Sequence, residues 1–225
     1  MMKKVNIGIL GVQGDVEEHV ASVESAFREI TIDGIVSIIK YSEEIDFING
    51  LIIPGGESTS IGKLSNNDDF HSSIKKKITQ GMPVLGTCAG LIFLSNHIIQ
   101  NSSNTSQKLL GSLDIETERN AFGRQHESFQ SEFPIPKFGI DKFMGIFIRA
   151  PRIRSIGSNV EILAKLNSIN PGRITIKLPT KPTITADHLL KPTFSPKKIG
   201  DNAVVIKGAT NARVKAFAIE ITEIE

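Results

Sequence analysis

The chain has one cysteine, no tryptophan and one tyrosine among 225 residues. A single thiol excludes an intramolecular disulfide framework and any site built on several thiolates. The five histidines (19, 71, 97, 126 and 188) include no pair at the i, i+4 spacing that puts two imidazoles on one helix face, which argues against a zinc site. No apolar run approaches the roughly 18 residues needed to span a bilayer, so no membrane partner is expected. Charge of either sign is not in excess: the net charge is +2, too small to indicate a nucleic-acid-binding surface. The start, Met1-Met2-Lys3-Lys4 and then Val5 to Leu10, is superficially like a secretion signal. Its apolar part is short, is broken by Asn6 and runs into Gly14-Asp15 without a cleavage-like site. A cytoplasmic location is the expectation.

What is present is an ordinary globular composition, 40% hydrophobic with 19 glycines, on a chain long enough to bury a core without staples. Short apolar runs alternate with helical stripes over the first hundred residues. Val5–Leu10 precedes a stripe at Val16, Val20, Val23 and Phe27, and residues 34–39 form a second run. Leu51-Ile52-Ile53 stops at Pro54-Gly55-Gly56, the stripe Phe70, Ile74, Ile78 follows, and Pro83-Val84-Leu85 leads into an apolar helix expected over residues 91–99. Continuous runs of this kind are the pattern of parallel strands covered on both faces. Strand–helix alternation implies right-handed crossovers and an α/β fold, a doubly wound, mostly parallel sheet with helices on both faces. In such sheets the chemistry lies beyond the carboxyl ends of the strands.

Three strand ends carry unusual residues. Gly86-Thr87-Cys88-Ala89-Gly90, between an apolar strand and an apolar helix, is a nucleophile elbow with cysteine in the serine place. The sharp turn holds the sulfur at a helix start, where the dipole and free N–H groups favour thiolate, and the flanking glycines relieve crowding. In proteins at large, a cysteine in such a turn is more often a small buried apolar residue. Pro54-Gly55-Gly56-Glu57-Ser58-Thr59 lets backbone come close to a ligand, and its N–H groups can form an oxyanion hole. Alone it reads as a tight turn; beside Cys88 it becomes coherent. Val12-Gln13-Gly14-Asp15 follows the first strand, with Asp15 expected to cap the next helix.

Together these pieces reach a family. The chain resembles the glutaminase subunits of pyridoxal 5′-phosphate synthase (the PdxT/SNO family of class I, triad-type glutamine amidotransferases). Besides the three turns, the resemblance rests on Arg119-Asn120-Ala121-Phe122-Gly123-Arg124-Gln125, Glu127-Ser128-Phe129, Phe147-Ile148-Arg149-Ala150-Pro151 and Asn159-Val160-Glu161-Ile162-Leu163-Ala164. It runs from about residue 5 to about residue 177. The resemblance implies a flavodoxin-like fold in which Cys88 attacks the glutamine side-chain amide, with the N–H groups of Gly56 and Ala89 as oxyanion donors. It implies glutamine contacts at Gly56, Glu57, Ser58, Arg119, Ile148 through its backbone, and Arg149. Arginine suits that task because it pairs with a carboxylate in bidentate fashion. It also implies a hetero-oligomer with a synthase subunit that takes up the ammonia, and no cofactor in this subunit.

The resemblance weakens where the composition shifts. Residues 1–177 read as the amidotransferase-like domain, and residues 178–225 as a divergent basic, proline-rich segment of the same domain. Residues 173–215 carry nine Lys or Arg against two Asp, and four of the ten prolines fall between 179 and 196. The family's C-terminal Phe-His-Pro-Glu element, which supplies its base and orienter, is absent. The nearest match is Phe194-Ser195-Pro196-Lys197. His188, the one histidine downstream, has no acid two residues on; His19, in Glu17-Glu18-His19, is expected at the surface or a subunit contact. The sequence therefore supports a glutaminase first. A catalytically impaired binding subunit of the same fold is the alternative.

Overall fold

Five strands decide the architecture. In the computed structural model, which describes residues 4–11, 14–56, 68–99, 108–119, 121, 129–147, 150–167, 203–204, 206–207, 215–216 and 218–222, β1 (Val5–Leu10) is an inner strand of a five-stranded sheet. It pairs in parallel with β2 (Gly34–Ile39) on one side and β3 (Gly50–Ile53) on the other. β4 (Val84–Thr87) continues in parallel from β3, and β11 (Ala203–Val204) closes that edge antiparallel to β4. The order β11-β4-β3-β1-β2 is the doubly wound arrangement expected, with the direction of winding reversing between β1 and β3.

The register shows why each face is covered. Val5 pairs with Gly34, and Ile9 with Ile52, so these side chains share one face. On it lies α1 (Val16–Glu29), whose Phe27 ring sits where a Cβ on Gly34 would be. Leu10, Leu51 and Ile53 point to the opposite face. There they join α2 (Asp68–Thr79), which buries Phe70, Ile74 and Ile78 at i, i+4 and i+8. Two turns of 3₁₀ helix, Ser42–Phe47, add Ile45 to the same core. Each such fully buried side chain contributes roughly 1.5–3 kcal/mol, and the cluster runs on through Leu91, Phe93 and Leu94.

The helix after the elbow is shorter than the sequence suggests. α3 spans Ala89–Leu94 and ends at Ser95, whose backbone is extended and whose hydroxyl donates to the Ile92 carbonyl at 2.6 Å. Ser95–Ile99 is instead a strand, β5, paired in parallel with β6 (Leu113–Glu118). The expected helix over 91–99 is thus corrected: β-branched Ile98 and Ile99 and a buried Ser95–Thr117 hydroxyl contact at 3.2 Å favour pairing with β6 over further helix. β9 (Arg152–Ile156) flanks β6 on its other side, antiparallel.

A second, smaller core forms around a hairpin of β7 (Phe129–Ile135) and β8 (Ile140–Phe147), joined through Pro136–Phe138. Phe129 stacks on Phe147 with ring centroids 4.6 Å apart, and Phe133, Ala164 and Leu166 pack beside them. β10 (Ile162–Asn167) supplies the last two and pairs in parallel with β14 (Ala218–Thr222). β12 (Ile206–Lys207) and β13 (Lys215–Ala216) form a small antiparallel pair. Among the described residues no helix is long and apolar enough to cross a membrane.

Close approach of α3 to the sheet rests on two glycines. A Cβ on Gly90 would stand 2.1 Å from the Ile53 carbonyl oxygen, and one on Gly86 would stand 2.8 Å from the Gly90 carbonyl carbon. Gly90→Ala is therefore expected to destabilise the protein by about 1–3 kcal/mol, lowering the thermal midpoint by several degrees. Gly139→Asn, at an exposed left-handed turn with nothing within 4 Å, serves as the control because asparagine tolerates that backbone. A melting curve for Gly90→Ala that overlays the parent would contradict this packing.

Candidate active site

Cys88 joins β4 to α3 with φ 47° and ψ −104°. Positive φ is rare for a residue with a Cβ, and among the described residues only Thr31 shares it. Holding a side-chain residue there costs on the order of 1–3 kcal/mol and persists only where the surroundings over-determine it. Those surroundings are the glycine contacts just described. Neither Gly86 nor Gly90 has positive φ, so the two glycines of the elbow serve the seating of α3 on β3 rather than dihedral freedom. The strain is concentrated on the cysteine itself.

Two further turns meet the elbow at the point where the winding of the sheet reverses. After β1, Gly14 (φ 95°) comes so close to the turn after β3 that a Cβ there would overlap the Gly55 carbonyl oxygen at 1.7 Å. After β3, a Cβ on Gly55 would lie 3.3 Å from Cys88 Cβ and 3.4 Å from Asp15 Oδ2. Gly56 follows with φ 130°, a conformation open to glycine. The Gly55 turn thus contacts both the Gly14-Asp15 turn and the Cys88 elbow. Gly56 and Ala89 are the next residues along two of them, and Ala89 is buried at the start of α3.

The first turn of α1 differs from its expected role. Asp15 occupies the N-cap position, yet its side chain makes no capping hydrogen bond. The carboxylate lies instead against the Gly55 turn, so the capping expectation is corrected by a competing tertiary placement. One turn on, His19 Nε2 is 3.1 Å from Thr87 Oγ1, and Thr87 is fully buried. His19 is thus partly buried, with its ring nitrogen turned to the elbow. Its place on the Val16, Val20, Val23 stripe carried that signal, because a residue three after Val16 shares the inward face. Burial pushes the His19 imidazole below the ordinary value of 6.5, with the charges of Asp15 and Glu18 opposing the shift.

Arg119 directly follows β6. Glu57, Ser58, Ile148 and Arg149 lie outside the described residues, as do Gln13, His126, His188 and residues 194–197. Among the described residues no group of three or more His, Cys, Asp or Glu side chains is arranged to hold a metal ion.

The lowered His19 value has a thermodynamic sign. Below pH 6.5 the unfolded chain binds a proton at His19 more readily than the folded one, so stability falls as pH drops from there through the folded value. Thermal midpoints followed from about pH 7 to about pH 5 should decline less steeply in His19→Gln than in the parent. Parallel declines would contradict the burial of a neutral imidazole.

The similarity to known proteins spans all three turns. A sequence model described as the SNO glutamine amidotransferase family matches residues 9–192. The chain is 48% identical over 162 residues to the pyridoxal 5′-phosphate synthase subunit PdxT of Nitrosopumilus maritimus, spanning 72% of this chain and 79% of that protein. It is 48% identical over 160 residues to PdxT of Thermotoga maritima, spanning 71% and 80%. A solved glutamine amidotransferase superposes with a TM-score of 0.61 at 38% identity, covering 71% of this chain and 79% of that one. A match of that length, running through every turn that meets at Cys88, makes the chain a member of the SNO glutamine amidotransferase family.

Proposed function

We propose that this chain is the glutaminase subunit of a pyridoxal 5′-phosphate synthase, converting glutamine to glutamate and delivering ammonia to a partner synthase subunit in the cytoplasm. The observation that carries the reading is the convergence of three strand ends on one strained cysteine, with the Gly55-Gly56 turn against its Cβ. The glutamine amidotransferase family supports the substrate, and relatives named as subunits of pyridoxal 5′-phosphate synthase support the partner.

In this reading the Cys88 thiolate attacks the δ-carbonyl carbon of glutamine. Charge moves to the carbonyl oxygen, within reach of the Gly56 and Ala89 N–H groups; such donors are worth roughly 10²–10³-fold each. Collapse expels ammonia and leaves a γ-glutamyl thioester, which water hydrolyses to glutamate and the thiol. Gly56, Glu57, Ser58 and the backbone of Ile148 hold the amide end of the substrate. The guanidinium groups of Arg119 and Arg149 take its α-carboxylate. No cofactor enters the scheme, since the thiol supplies the nucleophile and the polypeptide supplies the charge stabilisation.

Proton transfer is the step for which this sequence departs from its family. General acid–base assistance contributes about 10²–10⁴-fold, and Ser195 and Lys197 stand where a histidine and a glutamate are expected. Turnover is therefore expected to be slow and dependent on the partner subunit. Glutamate release from glutamine, measured with and without a pyridoxal phosphate synthase partner, should appear in the assembled complex and vanish in Cys88→Ala. An assembled complex that binds glutamine without releasing glutamate would instead make the chain a non-catalytic binding subunit.

A further inference from the structure

We infer that His19 is a positioning residue for the Cys88 elbow, acting through the Thr87 hydroxyl. The inference rests on the glutaminase reading for its catalytic consequence. It rests on three placements for its physical content. Thr87 is the last residue of β4, it is 1% exposed, and Cys88 follows it in a backbone conformation that needs external restraint. β4 residues alternate between faces, so Thr87 lies on the α1 face while Gly86 lies on the face that carries α3. The elbow is clamped from both sides. α3 is seated on Gly86 and Ile53 below, and His19 Nε2 holds Thr87 Oγ1 at 3.1 Å above.

The same turn of α1 reaches the other half of the site. The His19 backbone N–H donates to the Asp15 carbonyl at 3.2 Å, and the Asp15 carboxylate abuts the Gly55 turn. One helical turn thereby fixes the spacing between the turn that bears Gly56 and the turn that bears Cys88. A residue whose side chain meets the neighbour of Cys88 and whose backbone is hydrogen-bonded to Asp15 is placed to set that spacing, whereas a residue needed only for core packing would be apolar here. The imidazole presents a ring nitrogen that either donates to or accepts from a hydroxyl, so the contact survives in either tautomer.

The test uses the full chain, because its single cysteine makes thiol alkylation report on Cys88 alone. His19→Ala, His19→Gln, Thr87→Val and the His19→Ala/Thr87→Val double variant are compared in two assays. One is the rate of iodoacetamide alkylation of the folded protein at neutral pH. The other is glutamate release by the assembled complex. Loss of one such hydrogen bond should slow alkylation and lower kcat about 3- to 10-fold in His19→Ala and Thr87→Val, with KM for glutamine little changed. His19→Gln, whose amide reaches the place of Nε2, should recover most of both. The double variant should be no slower than either single one, because the two residues act through one contact. Parent-like alkylation and kcat in both single variants would overturn the proposal. So would a slow His19→Ala beside a normal Thr87→Val, since His19 would then not act through Thr87. Should His19→Ala fail to fold, Thr87→Val and His19→Gln still decide it. If the parent complex releases no glutamate, the glutaminase reading fails by itself, and alkylation alone still measures the clamp.

Discussion

The contact on which the site depends is the seating of Gly90 on the Ile53 carbonyl. At that separation no side chain fits, so α3 lies directly on β3 and the chain between Thr87 and Ala89 has to turn within one residue. Cys88 takes the strain of that turn. The same economy of atoms recurs at Gly14 against Gly55, which brings the ends of β1 and β3 together. With no side chains at these three glycines the loops can meet; a side chain added at any of them would force them apart. The reactive geometry is therefore a property of the sheet's switch point, held by backbone contact rather than by a network of long side chains.

Much of this was legible in the sequence because its signals are local. The runs at Val5–Leu10 and Leu51-Ile52-Ile53 and the stripe Phe70, Ile74, Ile78 each declare an element, and all three are found as such. The elbow was legible from Gly86, Cys88 and Gly90 in a strand–helix context, though the reason for its glycines was not. Gly90 packs closely against Ile53, a contact between residues more than thirty apart in the chain, and Gly86 leaves room for Gly90 and Leu94 of α3. The helix expected over 91–99 ends at Leu94 for a similar reason: β-branched Ile98 and Ile99 suit a strand, but their partner β6 is not a local feature. Asp15 and His19 show the limit most clearly. Each has an ordinary local role available, capping or solvation, and in each a tertiary contact with another strand end prevails.

The C-terminal part adds a different kind of information. The family match stops at residue 192, immediately before Thr193-Phe194-Ser195-Pro196-Lys197. Farther on, β11 takes the sheet edge beside β4 and runs antiparallel to it, with Ala203 opposite Thr87. The strand that leads to Cys88 is thus flanked on one side by β3, which delivers the Gly55-Gly56 turn, and on the other by a segment beyond the family match. In the proposed scheme, attack and oxyanion stabilisation fall to the part of the chain within the family match, and proton transfer to the part beyond it, so rate, more than binding, is where this chain is expected to stand apart from its family.

The central claim is that Cys88 stands in a glutamine site, and the most direct test does not require turnover. The protein would be treated with a chloroketone analogue of glutamine, in which the thiolate displaces chloride, and the label located by mass spectrometry of the digested chain. The account predicts one adduct, on Cys88, formed more slowly when glutamine is added. A Cys88 that reacts with iodoacetamide yet shows no glutamine-protected labelling by the analogue would contradict it.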